Sequence, residues 1–198
     1  MNSSSETRQS IINSASNLFY KNGYNTTTIK DIVKASNTSQ AILNNFFKSK
    51  EEICIAYLRH RNLNFSSQIV SFVEQAPKGN QKILAIFSYL ELFYKMDDFN
   101  GCWNIKVFSE VPIENKLIRS EVLSQKRAFL NYIELLVHDN ISAKNTEDCE
   151  KLVQQIYLLL ESAVAHSNIL KEEWPITRAK ELTDDLISKA MLVCQSKN

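Results

Sequence analysis

Only three glycines and three prolines interrupt the 198 residues of this chain, at Gly23, Pro77, Gly79, Gly101, Pro112 and Pro175. A β-sandwich or barrel needs many tight turns, and a dinucleotide-binding α/β fold needs glycine-rich strand-to-helix loops. Neither can be built from so few breakers. The six residues cut the chain into pieces of helical length, and each piece carries apolar residues at helical spacing. The expectation is an all-α protein. Nothing approaches 18 consecutive apolar residues, so no transmembrane helix is expected. Residues 1–10 are polar and lack the apolar core of a signal peptide, which points to the cytoplasm.

The first helix is expected over 7–21, with Ile11, Ala15, Leu18 and Phe19 on one stripe and Gly23 as its stop. Thr28-Ile-Lys-Asp31 has the capping-box pattern and opens a short second helix that ends near Ala35. Asn37 tolerates a left-handed backbone. Ser39 then caps a third short helix through Phe46. Ser49-Lys-Glu-Glu52 is a second capping box, opening a long fourth helix that Pro77 and Gly79 end. Further helices are expected over 80–96, 104–111, 114–138, 147–171 and 176–195, the eighth capped at Asn145-Thr146.

Two short helices joined by a tight turn and braced by a third form a helix-turn-helix. Its second helix packs one side inward, here expected to be Ala41, Ile42 and one or both of Phe46 and Phe47. The other side offers short polar groups to base edges. Ser39, Gln40, Asn44 and Asn45 are such groups, and Lys48 and Lys50 stand ready for phosphates. Charge agrees: residues 1–50 carry six basic and two acidic side chains in a chain of net charge +1.

Other chemistry finds little support. Cys54, Cys102, Cys149 and Cys194 are at least 45 residues apart, and His60, His138 and His166 are equally scattered. Neither set has metal-ligand spacing, so no metal and no cofactor are expected. There is no nucleophile–base motif and no phosphate loop, so the chain reads as a non-enzyme. Cys102, with Lys106 one turn on, reads as an inert thiol rather than a sensor.

Thr28-Ile-Lys-Asp-Ile32-Val-Lys-Ala35-Ser-Asn-Thr38-Ser39 resembles the T-x-x-x-I-A-x-x-A-G-V-S run of the TetR family of bacterial transcriptional regulators. Leu43-Asn-Asn-Phe-Phe47-Lys48-Ser49-Lys50-Glu51-Glu52-Ile53 is similar to the L-Y-x-H-F-x-S-K-E-x-L that follows it there. Arg8, Ile11, Ala15, Leu18, Phe19 and Gly23 fall at the family's spacing upstream. The departures are Asn37 for the turn glycine, Asn44 for the tyrosine and Phe46 for the histidine. Gly101-Cys102 followed by Glu110 is loosely similar to a pattern in some members' C-terminal domains.

The resemblance implies a three-helix helix-turn-helix DNA-binding domain over 1–48. Residues 49–198 then form a helical effector-binding and dimerisation domain. It implies a homodimer on a palindromic operator in double-stranded DNA, usually a repressor released by a small molecule. The residues assigned to DNA are Thr28, Thr38, Ser39, Gln40, Asn44, Asn45 and Lys48. For the effector, expected to be apolar or aromatic, the candidates are Phe87, Phe93, Trp103, Phe108, Phe129 and Tyr132. Two helices carry more apolar surface than one core needs. The eighth has Leu152, Ile156, Leu159 and Ala163 on one stripe and Val153, Leu160 and Val164 on another, and the ninth has Ala179, Leu182, Leu186, Ala190 and Val193. This surplus suggests a four-helix dimer interface. The rival reading is a helical dimeric interaction protein that has lost operator binding.

Overall fold

The structure, a computed structural model, describes residues 2–96, 98–141 and 146–195, with side chains described over 4–96, 98–141 and 147–191. The cap expected at Asn145-Thr146 and the thiol of Cys194 lie outside what is described. The fold is all-helical, with nine helices and no strand among the described residues. They are α1 (Asn2–Asn22), α2 (Ile29–Ala35), α3 (Gln40–Phe46), α4 (Lys50–Glu74), α5 (Asn80–Tyr94), α6 (Trp103–Glu110), α7 (Lys116–Asn140), α8 (Thr146–Leu170) and α9 (Trp174–Gln195). Each boundary falls close to its expected place. The first helix starts earlier than expected because nothing before Thr7 breaks it. The ninth starts before Pro175, which sits in the first turn, where its missing N–H costs nothing.

The chain forms two compact units. One comprises Met1–Phe65 and Cys102–Lys126, the other Ser66–Gly101 and Arg127–Asn198. In the first, α1, α2 and α3 pack on one another. Ile11, Ala15, Phe19, Ile32, Leu43 and Phe47 form a core from which water is nearly excluded. In the second, α5, α8 and α9 pack together. The fifth helix is buried on all sides over 83–87, and further along through Tyr89, Leu90 and Phe93. It is therefore a central helix rather than a surface one.

In the eighth helix most of the two apolar stripes is used within the protomer: Leu152, Val153, Ile156, Leu160 and Ala163 are buried. Leu159 and Val164 are half-buried. Leu158 and Leu182 are 66% and 43% exposed. With Leu159 and Leu186 they border a groove of about 470 Å³, flanked by Gln155, Ser162, Asp185 and Lys189.

Candidate nucleic-acid interface

The helix-turn-helix is assembled by local hydrogen bonds that the sequence dictates. Gly23 terminates α1 at φ +92°, and its N–H donates to the Phe19 carbonyl at 3.0 Å. The buried Thr27 hydroxyl donates back to the Gly23 carbonyl at 2.8 Å. Thr28 and Asp31 complete the capping box. The Asp31 N–H donates to Thr28 Oγ1 at 3.2 Å, and the Thr28 N–H donates to Asp31 Oδ2 at 2.8 Å. These bonds to Thr28 hold the Asp31 carboxyl below the ordinary carboxylate range. Asn37 takes φ +50° in the turn between α2 and α3, the conformation for which it replaces glycine at little cost. Ser39 Oγ accepts the Ile42 N–H at 3.2 Å and starts α3.

The third helix differs from expectation in phase. Leu43 and Phe47 are buried, while Ile42 is 42% exposed and Ala41 is exposed. The seven-residue helix therefore presents Ser39, Gln40, Ala41, Ile42, Asn44 and Asn45 outward, and Phe46 is half-buried. Gln40 and Asn44 are one turn apart, and Gln40 Nε2 donates to Asn44 Oδ1 at 2.9 Å. The two amides thus form a pair, each fixing the other's orientation. Thr38 is placed differently from its neighbours: its hydroxyl oxygen is buried and meets no hydrogen-bond partner.

The basic residues after α3 divide in their roles. Lys48 is exposed, and its Nζ donates to the Asn44 carbonyl at 3.0 Å, covering the open C-terminal end of α3. Its backbone N–H donates to Glu52 Oε2 at 2.7 Å. The second capping box is thus offset by one residue, since Ser49 Oγ accepts the Glu52 N–H while Glu52 answers at Lys48. Lys50 turns inward. Its Nζ lies 4.3 Å from the centre of the Tyr24 ring, and burial lowers its pKa. Arg8, at the other side, lies over the Phe47 ring at 5.2 Å.

The head is held from outside the three helices by α6. Asn25 N–H donates to Glu110 Oε2 at 2.7 Å, and Asn25 Nδ2 donates to the Glu110 carbonyl at 3.0 Å. Lys106 Nζ donates to the Tyr20 carbonyl at 2.7 Å. No local sequence pattern announces this link. Within α6 the Lys106 N–H donates to the Cys102 carbonyl at 3.1 Å. Lys126 also reaches this residue, its Nζ 3.3 Å from Cys102 Sγ.

Six aromatic residues are expected to line an effector pocket. Phe87, Phe93, Phe129 and Tyr132 belong to the second unit, Trp103 and Phe108 to the first. Phe129 and Tyr132 stack at 6.4 Å. Phe108 is 40% exposed and lies under the Arg119 guanidinium at 3.7 Å. Among the described residues no group of histidine, cysteine or carboxylate side chains could hold a metal ion. No described helix is long and apolar enough to cross a membrane.

With this geometry in place, residues 11–57 match the family model of the bacterial regulatory proteins of the tetR family. The matched segment holds the second half of α1, all of α2 and α3, and the turn at Asn37. These residues are similar to the DNA-binding domain of the tetR family. Solved structures agree over nearly its full length. A TetR-family transcriptional regulator from Streptomyces coelicolor superposes with a TM-score of 0.86 at 18% identity, covering 94% of this chain and 97% of that one. A TetR-family regulator from Cytophaga hutchinsonii gives 0.84 at 20% identity, with 96% and 98% covered. One from Chloroflexus aurantiacus gives 0.82 at 21%, with 95% and 97% covered. At such identities these structures speak for the TetR fold. No curated protein matches the chain. The head is the DNA-binding domain of a transcriptional regulator, and the rest is a helical C-terminal domain.

Proposed function

We propose that the chain is a dimeric repressor that binds a palindromic operator in the cytoplasm and is released from it by a small molecule. In this reading residues 1–48 bind DNA, and residues 49–198 bind the effector and the second copy. The single observation that carries it is the outward set on α3, Ser39, Gln40, Asn44 and Asn45, on a head with an excess of positive charge. Paired amides that orient each other suit the two-point recognition of adenine. Lys48, with Thr28 at the start of α2, supplies the sequence-independent contacts to phosphate. The dimer is built on the groove bordered by Leu158, Leu159, Leu182 and Leu186, since apolar surface left over by the protomer core is what a self-complementary interface covers.

The coupling follows from continuity. Helices α4 and α7 each begin in one compact unit and end in the other. A ligand that favours one arrangement of the body biases the head through them, by no more than its differential affinity for the two states. Linkage then requires operator DNA to weaken effector binding by the same factor. An electrophoretic shift with the DNA upstream of the chain's own gene, repeated at rising salt, tests the reading. A specific complex that weakens steeply with salt is expected. One observation favours the rival interaction protein: Lys48 already has a partner in the Asn44 carbonyl. Absence of any shift at low salt would decide for that rival.

A further inference from the structure

The phase of α3 brings an apolar side chain to the face assigned to DNA. Leu43 and Phe47 fill the core of the head, while Ile42 stands 42% exposed and Ala41 beside it is exposed. At 3.6 residues per turn, successive side chains lie about 100° apart. Opposite the buried direction of Leu43 and Phe47, the outward face therefore runs from Asn44 through Ala41 and Asn45 to Ile42. Its two flanks differ in chemistry. On one, Gln40 and Asn44 hold each other through their 2.9 Å amide bond. The other carries Ile42, with the half-buried Phe46 one turn on, and offers only hydrocarbon. Ile42 is also rigid. Its N–H donates to Ser39 Oγ at 3.2 Å, which fixes it in the first turn of α3. Branching at Cβ then leaves it one strongly preferred rotamer in a helix, so that ordering it against a partner costs little entropy.

A branched hydrocarbon on a DNA-reading face has one favourable partner in the major groove. Of the four bases only thymine presents a methyl group there; the others offer hydrogen-bond donors and acceptors alone. Against cytosine, Ile42 would cover the N4 amino group and accept nothing from it, which leaves a buried donor unmet. Against thymine, the two apolar groups leave water together. We propose that Ile42 is a specificity-determining residue that selects thymine, through its C5 methyl, at one position of each operator half-site. The proposal rests on the DNA-binding reading of the preceding subsection and adds to it a base chosen without a hydrogen bond. The amide pair and Ile42 read separate positions, because they occupy opposite flanks of the helix.

The test replaces thymine by deoxyuridine, which pairs in the same way and lacks only the methyl. The DNA upstream of the chain's own gene is amplified with dTTP or with dUTP, and the full chain is titrated into each duplex at one salt concentration. The parent protein should bind the thymine duplex more tightly by about fourfold per half-site, the effect of burying one methyl-sized group. I42A shortens a surface side chain and leaves the Leu43 and Phe47 core intact. It should weaken binding to the thymine duplex, leave the uridine duplex nearly unchanged and so abolish the preference. I42V should keep most of it. Equal affinity of the parent for the two duplexes would overturn the assignment. So would an I42A protein that keeps the parent's preference, which would trace the methyl effect to DNA shape or to another side chain. An I42A protein weakened equally on both duplexes would reduce Ile42 to a contact without sequence preference. In each of these cases DNA binding itself stands. No specific complex with either duplex would overturn both the assignment and the reading it rests on.

Discussion

The link between Gly23 and Glu110 can be broken from either side, and the structure states how the two perturbations combine. Gly23 has φ +92°, and a Cβ added there would stand 2.5 Å from Glu110 Oε1 and 2.9 Å from Oε2. Gly23→Ala therefore has two costs. A β-carbon in this left-handed conformation costs about 1–2 kcal/mol. The same carbon also drives the Glu110 carboxylate off the Asn25 N–H, a charge-assisted bond worth about 1.5 kcal/mol, the low end of the range because Asn25 is exposed. Glu110→Ala loses only the second amount. In the double variant the carboxylate is already gone, so Gly23→Ala adds only its backbone strain. The expected losses are about 3 kcal/mol for Gly23→Ala, about 1.5 for Glu110→Ala and about 3 for both. The coupling is then about 1.5 kcal/mol, well above the few tenths seen for independent sites. Urea unfolding followed by circular dichroism, with unchanged slopes, measures it. Hydrogen exchange at the Asn25 amide reports the same opening locally. Strictly additive losses, or a Gly23→Ala protein as stable as the parent, would refute the reasoning.

Other outcomes follow from the same structure. Lys48→Ala should weaken binding to all DNA sequences alike and flatten the salt dependence by about one phosphate per head, whereas Gln40→Ala should change base preference by about 1–3 kcal/mol and also free Asn44; competition shifts at several salt concentrations separate the two. Leu158→Glu should turn the dimer into a monomer in light scattering without unfolding it, because Leu158 is 66% exposed in the protomer, whereas Leu160→Glu should unfold the chain because Leu160 is buried. Burial pushes the Cys54 thiol from 9.0 up to about 12 and the Tyr132 hydroxyl from 10.0 up to about 12, with Glu74 adding to the latter. Below pH 9 both states keep these protons and stability is flat; above it the unfolded chain ionises first. Stability should then fall by up to about 1.4 kcal/mol per pH unit for each such group, and a flat urea midpoint from pH 8 to 11 would contradict this.

The fold was legible wherever the chemistry is local. Thr28 and Asp31 sit three residues apart and cap each other. Gly23 and Asn37 take the left-handed backbone that their side chains permit, and Ser39 starts α3. Each of these facts needs only a window of four or five residues. The phase of α3 needs more. Seven residues make two turns, and a stripe that short is compatible with Ile42 inward or Leu43 inward. The choice is made by the shape of α1 and α2 underneath, and it falls on Leu43, which is 1% exposed.

The same distinction separates the two lysines that follow. Lys48 reaches a carbonyl of its own helix, four residues back. Lys50 is drawn to Tyr24, twenty-six residues away in sequence, through packing that no local pattern records. Likewise the Lys126 ammonium reaches Cys102 Sγ from twenty-four residues away, and the Lys106 ammonium reaches the Tyr20 carbonyl from eighty-six. What sequence reading misses is thus the pairing of charged and polar groups between helices. For a regulator this matters, because an effector site is made of such pairings. Aromatic residues counted along the chain mix buried positions such as Phe87 with exposed ones such as Phe108. Which polar atoms remain unmet after the helices have packed, as at Tyr57 and Trp103, is likewise invisible along the chain.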